Sequence, residues 1–496
     1  NHPDALGTTL THASITTDFS EALPELITPP ISGSLLDLQK SLSNIHTFFI
    51  QNMDSKELLW PGSMPGWIES DQEIRIAEYG NSNVGKMKHV YRVGLSYRYG
   101  RMMQTVAGIH YNFSLPDSFF KSLQVLEQSD MRFLAYKSEK YMGLIRSFYR
   151  HYWLLPYLFG ASPACMVNSL STNVPTYLTE WRGNSYISEF ATSLRMSSLG
   201  YQTDTQSGLK ICYNSVASYA QTLWQATRTP YAEFSQIGVQ VDGQWRQLND
   251  SILQIENEFY SPIRPKQPIC CGEMPSVALH CRGVEYIELR CIDLNPLLPL
   301  NIDTDTMAFL DVFLVMCLLT LDQAMPYQEC AEMRANFARV VENGRDPRLK
   351  LFQFSQPCDF STMAEQTFDY LQIVAEWMDD CSQGQSDYQA CVTQQRLKLT
   401  DVSLTPSHQL VEQMRAKQMG YAELMLSLSQ KYTTQFRNQA LPDAIQQDFQ
   451  LAVQQSCQRR QQMEAEAQLP FDRYLAHYFE QAEHCFRNCD SVKGIV

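Results

Sequence analysis

With 496 residues, 44% of them apolar and 19% charged, the chain can bury a large core and has the length of about two to four domains. Its formal net charge of −14 argues against a nucleic-acid partner, which demands clustered Lys and Arg. The same acidity leaves nucleotide binding open, because carboxylates recruit Mg²⁺ and the metal meets the phosphates.

In chain order, the first segment of interest is ITTDFSEALPELITP, residues 15–29, which reads as strand with Asp18, Glu21 and Glu25 among apolar residues. GNSNVGKM, residues 80–87, has Walker A spacing through Lys86. Met87 stands where Ser or Thr must reach Mg²⁺, and the preceding EIRIAEY is not a buried parallel strand, so a true phosphate loop is not expected. With Lys86, Lys88, Arg92 and Arg98 nearby, the segment stays open as a mobile anion-contacting flap.

QTVAGIHYNFSLP, residues 104–116, carries the strongest pattern. As an extended strand it puts Thr105, Ala107, Ile109, Tyr111 and Phe113 on a core face. Gln104, Val106, Gly108, His110, Asn112 and Ser114 share the other face, with Gly108 leaving room for close approach. A water-facing strand is usually built from Thr, Lys and Glu, so this amide–imidazole face reads as a site rather than as plain surface.

Further on, Arg195 and Tyr201 lie in the loop ATSLRMSSLGYQT, where ordinary loop chemistry and capture of an amino-acid carboxylate are both open. SILQIENEFYSPIRPK, residues 251–266, reads as a strand with Leu253, Ile255, Asn257 and Phe259 opposite Gln254, Glu256, Glu258 and Tyr260. VEYIELRCIDLNP, residues 284–296, puts Tyr286, Glu288 and Arg290 on one face and Ile287, Leu289 and Cys291 on the other. Glu288 and Arg290 are either a same-face ion pair of little value or a metal ligand beside an arginine for a transferring phosphoryl group. Together these segments describe an α+β protein: a curved, mostly antiparallel sheet with a wet acidic face, covered on the other side by helices.

Residues 307–321 form the longest apolar run, broken by Asp311. It is shorter than the roughly 20 residues that cross a bilayer, so it is expected as a core helix, with no membrane partner. From about Asp303 onward the periodicity is helical, and residues 443–468, rich in Gln and Glu, read as an exposed helix. The 14 cysteines have irregular spacings without CxxC, so most are expected to be buried, reduced thiols of a cytoplasmic protein. The opening segment has no charged start followed by an apolar run, which also fits a cytoplasmic location.

The stretches HPDALG, ITTDFSEAL, WPGSMP, EYGNSNVGKMK, MQTVAGIHYNFSLP, PYLFGASPA, ATSLRMSSLGY, LQIENEFYSPIRPK, GVEYIELRCIDLNP and RRQQMEAE, in this order, resemble the glutamate–cysteine ligases of enterobacterial type. The resemblance spans nearly the whole chain and implies a glutamine-synthetase-like catalytic domain over residues 1–496, with 303–496 a mostly helical portion packed on it. It implies ATP-dependent joining of the L-glutamate γ-carboxyl to the L-cysteine amine through a γ-glutamyl phosphate, the first step of glutathione synthesis.

Carried over residue by residue, the resemblance makes Asp18, Glu25, His110 and Glu288 ligands of Mg²⁺, with Mn²⁺ as an alternative. It assigns Phe19, Leu95, Gln104, Arg195, Tyr201 and Tyr260 to the cysteine pocket. Arg290 falls at the phosphoryl group with Asn112 beside it, and Arg92 is a further candidate there. It also implies a monomer, and glutathione as feedback inhibitor. The family pattern has an upstream GxERE strand that this sequence, opening at Asn1, does not include, so the natural start is expected upstream and a chain beginning here is expected to be weakly active or inactive. The competing expectations are a related ligase for another amine and a non-catalytic protein that binds glutamate or glutathione.

Overall fold

Helix Thr304–Leu319 is apolar on every side, so no face of it suits water and it becomes the centre of the largest core. Asp303 caps it, accepting from the Thr306 amide at 2.8 Å. Its Phe309, Leu310, Val312, Phe313 and Leu314 are completely buried against helices Phe133–His151 and Phe360–Ser382. The one acid in the run, Asp311, accepts from the Tyr111 hydroxyl at 2.7 Å, and burial pushes its carboxyl up to about 6. That bond joins the core helix to the apolar face of strand Gly108–Phe113. The computed structural model describes residues 2–170, 174–200, 206, 208–209, 211–320, 323–382 and 387–487.

The architecture mixes antiparallel strands with predominating helix. Among the described residues the strands form five sheets of two or three strands, not one large sheet. The sheet that matters for the site has Tyr286–Asp293 in the middle, flanked by Gly108–Phe113 and Ile263–Lys266. Its register sets Glu288 opposite Asn112 on one side and Arg264 on the other. Ile287 and Leu289 are fully buried on the reverse face, as the alternation demands. Hairpin Ile15–Thr17/Pro24–Leu26 pairs Thr16 with Glu25, and Asp18 lies in the turn beyond the first strand, not on it.

The strand expected over 251–260 does not form. Glu256–Glu258 is a 3₁₀ turn, and only Ile263–Lys266 is extended. Side chains outcompete the ladder here: Gln254 accepts from the Leu248 amide at 3.0 Å, and Glu258 from the Gln254 amide at 2.7 Å. Glu256 and Glu258 are therefore interior groups, 4% and 0% exposed, and not part of a wet acidic face. Glu256 accepts from the amide of Ser276 at 2.7 Å, in the first turn of helix Pro275–Arg282.

Burial pushes the Glu256 carboxyl up to about 7, so the folded chain holds a proton that the unfolded chain releases near 4.5. Its contribution to stability is therefore present below about pH 4.5 and lost as pH rises to 7. Glu256→Gln is expected to remove that slope and to be more stable than the parent at pH 7.5 by on the order of 2 kcal/mol. Urea midpoints at pH 5 and pH 7.5 check this; a variant equally weakened at both would refute it.

The phosphate-loop look-alike is the start of helix Asn83–Tyr99, with Ser82 as its cap accepting from the Gly85 amide at 3.2 Å. Its neighbouring amides are occupied: Asn81 donates to Glu464 at 2.8 Å and Asn83 to Gln468 at 3.0 Å. Helix Asp443–Ala465, largely exposed as expected, thus fastens the loop with its far end. Of the four cations named for an anion-contacting flap, Arg98 is paired inside the protein and Arg92 donates to the hairpin carbonyls, which leaves Lys86 and Lys88 on the helix. Of the thirteen cysteines described, all thiols, only five are buried, fewer than the sequence implied. No helix among the described residues is long and apolar enough to cross a membrane.

Candidate active site

Strand alternation places His110 and Asn112 on the open face of Gly108–Phe113, with Tyr111 and Phe113 buried behind. On the central strand Glu288 and Arg290 share that open face. Arg290 donates to Glu288 at 3.0 Å, and its guanidinium lies 3.5 Å from the His110 ring nitrogen. Lys266 reaches the other Glu288 oxygen at 3.5 Å. Glu288 is thus surrounded by Lys266, Arg290 and Arg264, which together outweigh the cost of its burial and hold its carboxyl far below the usual range. Desolvation in the cleft and then the Arg290 charge lower the His110 imidazole from its ordinary value, although its side chain keeps solvent contact, which favours the neutral form that can accept or ligate. Arg290 and Lys266 are the cations on this face that can meet an anion, since Arg264 is buried and donates to the Asn257 and Phe259 carbonyls.

The register shifts between Leu289 and Ile292, a bulge that includes Arg290. Arg195 packs beside this bulge, on the side of the sheet that Gly108 shares with His110. It is 2% exposed and donates to the carbonyls of Arg290 at 2.9 Å and Ile292 at 3.3 Å. A Cβ on Gly108 would come within 2.1 Å of the Arg195 guanidinium, so the group that the glycine admits is this side chain. Asp293 lies 3.5 Å from Arg195 and accepts from Ser162 at 2.7 Å and Ser193 at 2.9 Å, completing a buried brace. Arg195 thereby braces the backbone on either side of Cys291, next to Arg290.

Gln104 is buried, in the 3₁₀ turn Met102–Thr105 and not in the strand. Its carbonyl accepts from the Tyr260 hydroxyl at 3.2 Å, while its Nε2 has no partner. A buried amide with an unused donor is costly, and a bound ligand would supply the missing acceptor. Gln206 clamps this wall, donating to the Glu258 carbonyl at 2.8 Å and accepting from the Tyr260 amide at 2.9 Å. Phe19 and Leu95 belong together in one small apolar cluster with Ile74 and Ile76. Ile68 and Met102 pack on that cluster and also line a cleft of ≈ 400 Å³. Tyr201 lies outside the described residues.

Arg92 donates to the carbonyls of Asp18 and, at 3.4 Å, Thr17, and lies over the Tyr79 ring at 4.7 Å. It fixes the turn that carries Asp18. Burial, then the Asp18 carboxylate, raises the Glu25 carboxyl, so two acids meet here without enough positive charge between them. This pair of hard oxygen donors fits a divalent cation. The wider expected donor set is not gathered into one cluster: among the described residues no three His, Cys, Asp or Glu are close enough to hold a metal ion. Glu288 is already engaged by Lys266 and Arg290.

The sequence reading missed Arg264 and Lys266, although both stand in the quoted SPIRPK. Their signal was the basic residue recurring at every second position of a strand beside the Glu288 strand. Gln206 carried no signal, since its role depends on how a loop folds back.

Known proteins match this chain along most of its length. The family model described as glutamate-cysteine ligase matches residues 1–340. Curated glutamate–cysteine ligases are similar over 96% of the chain and 90% of their own length: 43% identical in Pseudomonas putida KT2440 and 42% in Azotobacter vinelandii. A glutamate–cysteine ligase from Francisella tularensis, solved in complex with AMP, superposes with a TM-score of 0.92 at 38% identity, covering 98% of this chain and 94% of that one. A bifunctional glutathione synthetase from Pasteurella multocida superposes at 0.70 and 25% identity, over 88% of this chain and 50% of that one. By class, then, the protein is a ligase. Within that class the chain belongs to the glutamate–cysteine ligase family.

Proposed function

We propose that the protein joins the γ-carboxyl of L-glutamate to the amine of L-cysteine at the expense of ATP, giving γ-glutamylcysteine, the first step of glutathione synthesis. The observation that carries the reading to these residues is the pair Arg290 and Lys266 on Glu288, beside His110 and Asn112, with buried Arg264 opposite Glu288 in register. The glutamate γ-carboxylate attacks the γ-phosphorus of ATP, ADP leaves, and Arg290 neutralises charge on the moving phosphoryl group, with Asn112 beside it. The amine then attacks the acyl carbon and phosphate departs. Neutral His110 leaves the surplus of positive charge to the cations around it.

The cysteine acceptor would lie between Gln104 and Tyr260, near Phe19 and Leu95, with Arg195 positioning Arg290; the resemblance adds Tyr201, outside the described residues. Mg²⁺, or Mn²⁺ in its place, would be held by Asp18 and Glu25; His110 and Glu288, which the resemblance adds, would have to leave Arg290 and Lys266 to join them. When bound it would supply positive charge to the phosphates of ATP. The finer fold reading is a glutamine-synthetase-like catalytic domain over residues 1–496, with 303–496 its helical part. We further propose a cytoplasmic monomer under feedback by glutathione.

The test is ADP release by the full gene product with ATP, Mg²⁺, glutamate and a panel of amines. Cysteine is expected to give the highest kcat/KM, and preference for another amine would overturn the acceptor assignment. Gln104→Ala is expected to raise the KM for cysteine about tenfold with the KM for glutamate unmoved. If both rise together, Gln104 supports the fold and not the acceptor.

A further inference from the structure

Helix Phe471–Arg487 lies on helix Pro275–Arg282 and also touches helix Asn83–Tyr99, which carries Arg92 and Leu95. Its seat is specific. Leu475, Tyr478 and Ala482 are buried, Phe486 stacks on Trp224 with centroids 5.3 Å apart, and Gln481 donates to the Gly272 carbonyl at 2.7 Å. At this contact the sulfurs of Cys281 and Cys485 are 3.7 Å apart, the two residues being 204 positions distant in sequence. Cys281 is exposed and Cys485 half-buried, and both are thiols in this structure. Neither belongs to the site described above, so the ligation chemistry does not account for the pairing of two sulfurs on facing helices.

We propose that Cys281 and Cys485 form a reversible dithiol–disulfide site, oxidised by low-molecular-weight disulfides, that pins the 471–487 helix to the 275–282 helix. A disulfide bond is about 2.05 Å long, so the sulfurs must approach by less than 2 Å, which rotation about the Cα–Cβ bonds can supply. Exposure lets a small disulfide RSSR reach Cys281. The Cys281 thiolate attacks one sulfur of RSSR, the S–S bond breaks, and RS⁻ leaves and takes up the proton that Cys281 gave up. The Cys485 thiolate then attacks the Cys281 sulfur, and the second RS⁻ departs and takes the Cys485 proton. Two protein thiols are oxidised and one RSSR is reduced to two RSH. The bond would close a very long loop and so restrict the unfolded chain while fastening a terminal segment.

The test treats the native full chain with glutathione disulfide, blocks remaining thiols and maps peptides without reduction. One cross-linked species joining the Cys281 and Cys485 peptides is expected, lighter than their sum by two hydrogen atoms and abolished by dithiothreitol. Oxidation is also expected to slow thermolysin cleavage within 471–487 by at least about fivefold, with no such effect in Cys281→Ser or Cys485→Ser. Recovery of Cys281 as the blocked thiol or as a mixed disulfide with glutathione, or its linkage to any other cysteine, would overturn the proposal. So would unchanged cleavage of the oxidised parent. Because none of these readouts uses ligase activity, they stand or fall apart from the reading of the active site.

Discussion

Replacement of Arg290 by alanine is expected to lower kcat at least about a thousandfold, in the range found when a single electrostatic group at a developing charge is removed. The melting midpoint should move little. Arg290 is half-buried, and its partners include Glu288 at 3.0 Å, which Lys266 also approaches, and His110 at 3.5 Å. Removal leaves Glu288 with Lys266 and Arg264, so its charge is not stranded. Arg290→Lys should recover only part of the rate, because a point charge cannot reproduce the planar fork. Steady-state kinetics and thermal melts on the same preparations check the prediction. An alanine variant that loses activity only in proportion to lost folded protein would show that Arg290 serves the sheet and not the reaction.

The contrast between this arginine and Arg195 shows how far the sequence could be read. Period-two alternation was enough to put Glu288 and Arg290 on one face and Ile287, Leu289 and Cys291 on the other, because each strand packs one face on the core. It also set His110 and Asn112 opposite Tyr111 and Phe113. The helix around Asp311 was legible from its apolar run. Alternation misled where the chain turns: Gln104 and Glu256–Glu258 lie in 3₁₀ turns, the second held by the side chains of Gln254 and Glu258 on nearby amides, and Glu256 and Glu258 face inward. The bulge after Leu289, and Arg195 filling the space beside Gly108, depend on segments far apart in the chain, and local pattern carries no record of them. The engagement of Arg98 by Glu258, and of the loop amides by Glu464 and Gln468, is equally long-range and left no local trace.

Arg98, one of those cations, carries the largest expected effect on stability. Its side chain and that of Glu258 are both 0% exposed and meet at 2.9 Å. Arg98 also donates to the Gln247 carbonyl oxygen at 2.9 Å and to the Asn249 carbonyl at 2.7 Å, and its guanidinium covers the Phe234 ring at 4.1 Å. Glu258 accepts in addition from the Tyr99 hydroxyl at 2.8 Å and the Gln254 amide at 2.7 Å. Arg98→Met keeps the apolar stem but leaves a buried carboxylate without its counter-charge, which typically costs 3–5 kcal/mol. Glu258→Gln, which retains an acceptor, should cost less, on the order of 1–3 kcal/mol. A double replacement by apolar residues should not restore stability, because the groups on Tyr99, Gln247, Asn249 and Gln254 would still lack partners. Urea midpoints of the three variants would establish the order, and an Arg98→Met chain as stable as the parent would show that the pair is not held in the interior. The network joins helix Asn83–Tyr99 to the turn that delivers Tyr260, so partial unfolding there should also raise the KM for cysteine before it touches kcat.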